Sequence, residues 1–263
     1  SCRLLMSKIL ERYLQKRGKD MMVEQYAKIL TESINKIADT QCKKIVQAAK
    51  LVGKSILADG LIYIFGCGHS HILSEEAFYR AGGFACVSPI FYQPLMLHQS
   101  ASLSSQMEKR SGLAQQILSE CVFSQKDVLI CVSTSGINGV PVEVAAQAKN
   151  EGIPVIGIAS DAYLDQQPRN IYGLHLQQVC QICVDNAAPM GDACLEIEGL
   201  PVRFAPVSTI TGVFILNSIL AEAVAYVLQE GGVPPIYLSG NIPGGSEYNQ
   251  SLINRYQDRI KYL

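Results

Sequence analysis

Leu61-Ile-Tyr-Ile-Phe65 followed by Gly66-Cys-Gly-His-Ser-His71 is the stretch that decides the fold. Five apolar residues, several β-branched or aromatic, read as a buried strand. Two glycines then remove Cβ atoms, so backbone amides can approach a ligand closely. Residues 72–79 read as a helix. A strand, a Gly-rich turn and a helix N-terminus together favour an anion, through free N–H groups and the helix dipole. A second unit of the same kind is Asp127-Val-Leu-Ile-Cys-Val132 with Ser133-Thr-Ser-Gly-Ile-Asn138. Two such units point to a phosphate-bearing ligand with hydroxyls elsewhere.

Working outward, strands are expected at 84–87, 128–132, 154–159 and 181–184, and helices at 108–122 and 139–150. A small hairpin is expected around Gly199. Thr209 to Leu228 is almost continuously apolar and reads as a buried helix. Ser208, Thr209 and Thr211 at its start are capping types. A last helix runs from Glu247. Strands alternating with helices imply a three-layer α/β/α fold with a five-stranded parallel, flavodoxin-like sheet. Its ligand belongs at the strand carboxyl ends, where both Gly/Ser loops lie. The connection 89–106 carries His98 and many serines, and loops of that length are often functional. Residues 23–57 keep one apolar stripe at helical spacing. Either that helix breaks near Asp39-Thr40, or it is long and packs on another subunit.

The chain has 263 residues, 48% of them hydrophobic and 17% charged, enough for one sizeable core. A net charge of −1 makes no electrostatic case for nucleic acid or an anionic membrane. No apolar run is read as reaching the roughly 18 residues that span a bilayer. Nine cysteines lie mostly inside apolar runs, as reduced core residues of a cytoplasmic protein would. Cys180-Gln-Ile-Cys183 reads as part of a strand, its sulfurs on opposite faces, with zinc as the alternative. Residues 1–20 are polar and basic and read as an extension before a natural start at Met21 or Met22. Residues 21–263 then form a single domain.

These segments resemble the SIS (sugar isomerase) domain family. Gly66-Cys-Gly-His-Ser70 is similar to its Gly-x-Gly-x-Ser turn. Ser133-Thr-Ser-Gly-Ile-Asn138 resembles its Ser-x-Ser-Gly-x-Thr/Ser phosphate loop. Val207-Ser-Thr-Ile-Thr211 resembles the third segment, which opens a buried helix. Order and spacing fit over about residues 45–230. Residues 231–263 are similar to an uncharacterised sugar isomerase-like subfamily.

The resemblance implies that Gly68, Ser70, Ser133, Thr134, Ser135, Asn138, Ser208, Thr211 and Asn217 bind a phosphosugar. Asn138 stands where the family has Thr or Ser. The alternative is that these serines are only turn formers and caps. The resemblance also implies a homodimer or homotetramer, with the pocket near the interface. No cofactor is expected. Isomerisation needs a base to move a proton between adjacent carbons and an acid to open the ring. Where several family members place a glutamate after the first loop, this chain has Arg80. Where heptose-phosphate isomerases carry a histidine, it has Leu216-Asn217.

The catalytic candidates are therefore His69, Glu76, His98 and Glu222. Glu222 in an apolar helix is either structurally paired or catalytic. His71 packs or acts beside His69. His69 and His71 could hold a metal, but no third ligand is evident. Glu108 and Glu143 are further titratable candidates, but with Glu75 they read first as solvated face residues of amphipathic helices. The expected function is aldose–ketose isomerisation of a small phosphorylated sugar. The alternatives are a lyase of the N-acetylmuramic acid 6-phosphate etherase kind, which the Leu216-Asn217 helix also resembles, and a non-catalytic phosphosugar sensor.

Overall fold

The computed structural model describes residues 21–263; the expectation for residues 1–20 lies outside them. Five strands form one parallel sheet: β1 (Ile62–Gly66), β2 (Val87–Ile90), β3 (Val128–Val132), β4 (Val155–Ala159) and β5 (Ile182–Asp185), in the order β2-β1-β3-β4-β5. Every residue of β1, β3 and β4 is buried, which is why these strands appear in the sequence as unbroken apolar runs. From β1 the chain moves outward to β2, then returns to place β3 on the other side of β1. This reversal opens a crevice at the carboxyl ends of β1 and β3, so the loops after these two strands flank it.

α1 (Met22–Leu57) is a single unbroken helix, about 54 Å long at 1.5 Å per residue. Its buried positions begin at Ile37, so the C-terminal half is the part that joins the core. It packs along α7 (Ser208–Gln229), which also meets α2 (Ile72–Ala77). Gly53 permits the close approach: a Cβ there would lie 2.4 Å from the Tyr226 ring. α4 (Ala114–Leu118), α5 (Gly139–Asn150) and α6 (Leu176–Val179) form the other layer.

Several expectations are corrected. α7 is long and apolar enough to cross a bilayer by length and composition, with a mean hydropathy of 1.8. Nor is it buried all round: α1 and α2 cover one face, while Ile210 and Leu228 are 41% and 58% exposed. The helix expected over 108–122 is confined to α4, and the expected connection 89–106 holds a helix of its own, α3 (Ala101–Met107); Gly112, at φ +86°, lies between the two. The second strand begins at Val87, whereas Phe84 bridges Ile236 of the tail. That tail pairs antiparallel, with Tyr237 N donating to Gly83 O at 2.9 Å and Gly82 N to Tyr237 O at 2.8 Å. Cys180 follows α6 rather than lying in a strand, so the two sulfurs do not face apart. A Cβ on Gly157 would lie 2.8 Å from Cys180 Sγ and 2.7 Å from Cys183 Sγ.

The expected hairpin is β6 (Ala193–Leu195) and β7 (Phe204–Pro206). The last helix is α8 (Gly245–Tyr256), tied to the end of α1 by Arg255 and Arg259 on Asp59, at 2.7 and 3.2 Å.

Candidate active site

The first loop leaves β1 through a turn so tight that a Cβ on Gly66 would sit 2.5 Å from the carbonyl of Ser70. Gly68 takes φ +55°, and residues Gly68–His71 form one 3-10 turn before α2. His71 is buried, bonded to Gly68 O and 3.3 Å from Glu75, so it braces the turn. His69 and Ser70 remain on the crevice side. Cys67 is buried behind them, and burial pushes its thiol well above its ordinary range, so it packs rather than reacts.

The second loop leaves β3 and runs into the N-terminus of the 12-residue α5. Ser133 Oγ accepts from Gly136 N at 3.2 Å, and Gly136 turns the chain at φ +62°. Thr134 is backed by Asn186, whose Nδ2 lies 3.5 Å from Thr134 Oγ1. Among the described residues, no acceptor takes the Thr134 or Ser135 amide. Two free amides, nearby hydroxyls and a helix dipole suit this loop to an anion.

Both loops open on one cleft of about 350 Å³. α3 contributes Ser104 and Ser105, and Glu108 follows its end. Tyr163, Asp192 and Ser208 complete the wall. Glu108 is held in place: Asn138 Nδ2 donates to its Oε1 at 2.6 Å, and Val140 N to its carbonyl at 3.0 Å. Beyond it, Gly112 N donates to Glu143 Oε2 at 2.7 Å, while Oε1 of this buried carboxylate has no partner. Asp192, at φ +66°, accepts from the Val207 and Ser208 amides at 3.0 and 2.7 Å and from Ser208 Oγ at 2.6 Å. Tyr163 Oη accepts from Gly191 N at 2.8 Å. No lysine or arginine lines the cleft among the described residues.

Of the expected site residues, the fold brings Gly68, His69, Ser70, Ser133, Thr134, Ser135 and Ser208 into this cleft. Asn138 is buried behind it, holding Glu108 rather than facing a ligand. Thr211 is buried one turn into α7, its hydroxyl donating to Val207 O at 3.3 Å. Glu76 is engaged elsewhere, paired with Arg80 and 3.4 Å from Asn217 Nδ2. Asn217 and Arg80 line a separate recess beside Gly82 and Gly83. His98 is exposed outside the cleft, and Glu222 sits on the exposed face of α7. The reading of Glu108 and Glu143 as solvated face residues is corrected, since one lines the cleft and the other is buried. Tyr163 and Asp192 carried no local signal. The run of serines in 89–106 was the only sign of Ser104 and Ser105.

The chain matches the SIS domain family over residues 25–160, just over half its length. A UPF0309 protein of Halalkalibacterium halodurans is 44% identical over 243 residues, which cover 92% of this chain and 97% of that protein. One from Listeria innocua is 42% identical, with 92% and 98% covered. Among solved structures, the sugar isomerase domain of an RpiR transcription factor from Sphaerobacter thermophilus covers 91% of this chain and 99% of its own, at 12% identity and a TM-score of 0.49. With the family match and these relatives, the chain belongs to the SIS domain family.

Proposed function

We propose that this protein binds a small phosphorylated sugar and interconverts its aldose and ketose forms, with Glu108 as the base. The observation that carries the reading is the juxtaposition of a held carboxylate and an unfilled amide cradle in one cleft. The phosphate sits on Ser133, Thr134 and Ser135. Glu108 removes the proton from the carbon next to the carbonyl, giving an enediolate; the hydroxyl proton on that carbon's oxygen passes to the former carbonyl oxygen, and Glu108 returns its proton to the former carbonyl carbon. The substrate's own atoms and electrons balance in this step. His69, which lines the same cleft, serves as the acid that opens the ring.

The test is a thermal-shift screen of hexose, pentose, heptose and amino-sugar phosphates, each hit then incubated with protein in deuterated water. A ligand that binds only the folded state raises Tm. Carbon-bound deuterium beside the carbonyl of a stabilising sugar is the expected result. Stabilisation with neither exchange nor product would overturn the enzymatic reading and leave a phosphosugar sensor.

The same reading includes a homodimer or homotetramer, supported by the exposed Ile210 and Leu228 of α7 and checked by light scattering. It also includes a reducing, cytoplasmic setting, supported by the described cysteines, all of them free thiols. Fractionation of the native source checks that part.

A further inference from the structure

We infer that the cleft is polarised by where its hydroxyl protons are committed, and that Asp192 and Ser208 make it select sugar monophosphates over sugar bisphosphates and phosphosugar acids. This inference rests on the phosphosugar reading of the site and names the class of sugar within it.

A serine hydroxyl has one proton to give and two lone pairs to receive with. Ser208 gives its proton to Asp192 Oδ2 at 2.6 Å, and Ser104 gives its own to Leu95 O at 2.7 Å. Toward the cleft both serines offer only lone pairs. Glu108 and Asp192 as carboxylates also accept only. Ser133 is the reverse. Its Oγ receives from Gly136 N, so its proton is free, and beside it stand the free Thr134 and Ser135 amides. Donors therefore lie on the two loops, most of them on the one after β3, and both carboxylates lie on the wall built by residues 104–108, 192 and 208. The exceptions on that wall are the Ser105 hydroxyl, which is committed to no partner, and the Tyr163 proton, left free because its oxygen accepts from Gly191 N.

A phosphate dianion can only accept, so it belongs on the donor loop. A second phosphate or a carboxylate at the other end of the ligand would face two carboxylates and two acceptor-only serines, with no lysine or arginine to offset them. Hydroxyl or amino groups suit that wall. N-Acetylmuramic acid phosphate carries a carboxylate, so the same polarity disfavours it. Asp192 is the residue that sets the polarity, because it takes the Ser208 proton.

Asp192→Asn tests this with little change of shape. The Asn oxygen still accepts from the Val207 and Ser208 amides, while its NH2 donates to Ser208 Oγ and turns the serine proton toward the cleft. The probes are inorganic phosphate, fructose 6-phosphate, ribose 5-phosphate, fructose 1,6-bisphosphate, ribulose 1,5-bisphosphate and 6-phosphogluconate, with Kd measured by calorimetry. The wild type is expected to bind at least one monophosphate about tenfold more tightly than its bisphosphate or acid counterpart, and Asp192→Asn to shrink that ratio to about threefold or less. If the Asn variant fails to fold, Ser208→Ala replaces it. The expected result is then a several-fold loss for monophosphates and unchanged bisphosphate affinity. The inference is overturned by equal or tighter bisphosphate binding to the wild type, by an unchanged ratio in folded Asp192→Asn, or by no monophosphate binding better than inorganic phosphate. The Ser133→Ala/Ser135→Ala double variant separates the two levels. If inorganic phosphate binds equally well to it, the phosphosugar reading has failed; if binding is lost but no selectivity is seen, only the polarity has failed.

Discussion

The loops after β1 and β3 resemble each other in sequence, each placing glycine and serine at the end of a buried strand, but they are built for different work. In the first, residues 68–71 coil into a 3-10 turn that spends the Ser70 amide on Cys67 O and leaves those of Gly68 and His69, and the helix beyond it has only six residues. In the second, the Thr134 and Ser135 amides are unspent and the helix beyond has 12 residues. Anion affinity follows the number of unspent N–H groups and the length of the aligned helix. The lesson is that a Gly-x-Gly-x-Ser turn shows only that the backbone comes close. The proposed function puts the phosphate on the loop that heads the longer helix, and leaves the first loop to meet the sugar.

The largest effect that can break this division falls on Glu108, which is fastened to the second loop through Asn138. Glu108→Gln should reduce deuterium exchange by at least about 100-fold, the usual scale for losing an acid–base group. Ligand Kd should change by less than about threefold. Normal exchange in the Gln variant would move the reaction centre away from the second loop, with His69 on the first loop as the next candidate. Asn138→Ala should give a smaller loss, about tenfold, since it removes the holding bond and leaves the carboxylate.

Stability sharpens the comparison next. At Gly66 an added Cβ meets the backbone of Ser70, which cannot step aside as a side chain would. Gly66→Ala should cost about 3 kcal/mol or more. At Gly68 the nearest atom is Leu97 Cδ2 at 4.0 Å, and only the φ of +55° opposes a side chain. Gly68→Ala should cost about 1 kcal/mol. Urea denaturation midpoints measure both. Equal losses would mean that the tight turn at Gly66 is not what shapes the first loop.

How far the sequence shows all this depends on the range of the interactions. The loop cradle is local, so serine, glycine and the preceding apolar run announce it together. The central strands are also plain, because burial on both faces leaves no polar residue to interrupt them. α5 is bounded as expected at 139–150 because good helix formers run up to Gly152. The helix expected over 108–122 starts late because Gly112 turns the chain at φ +86°, and it stops at Leu118. The apolar spacing at Leu113, Ile117 and Leu118 is real but belongs to α4 alone. Glu108 was visible only as a titratable residue on a solvated face and Asp192 not at all, because their partners, Asn138 and Ser208, lie 30 and 16 residues away. Glu222 misled because an apolar helix was read as buried on every face, whereas α7 is covered on one side.

Direct contact with phosphate gives the third effect. Ser133→Ala and Ser135→Ala each remove a hydroxyl from a charged acceptor, a loss of about 2 kcal/mol or roughly 30-fold in Kd for inorganic phosphate. Calorimetry checks this, and losses below about threefold in both would return these serines to turn formation.

The smallest effect belongs to Ser70, and it is the one that separates the two loops most cleanly. Its hydroxyl lies on the cleft wall but follows a turn whose own amide is already spent. If the first loop reads the sugar, Ser70→Ala should leave inorganic phosphate affinity within about twofold and weaken a stabilising sugar phosphate by about 1 kcal/mol, the net worth of a neutral hydrogen bond. The contrast between the two ligands is the informative quantity, because a general disturbance of the turn would weaken both alike. A loss for inorganic phosphate as large as that from Ser133→Ala would make the loops equal partners in one anion site. The difference in helix length would then have no bearing on where the phosphate lies.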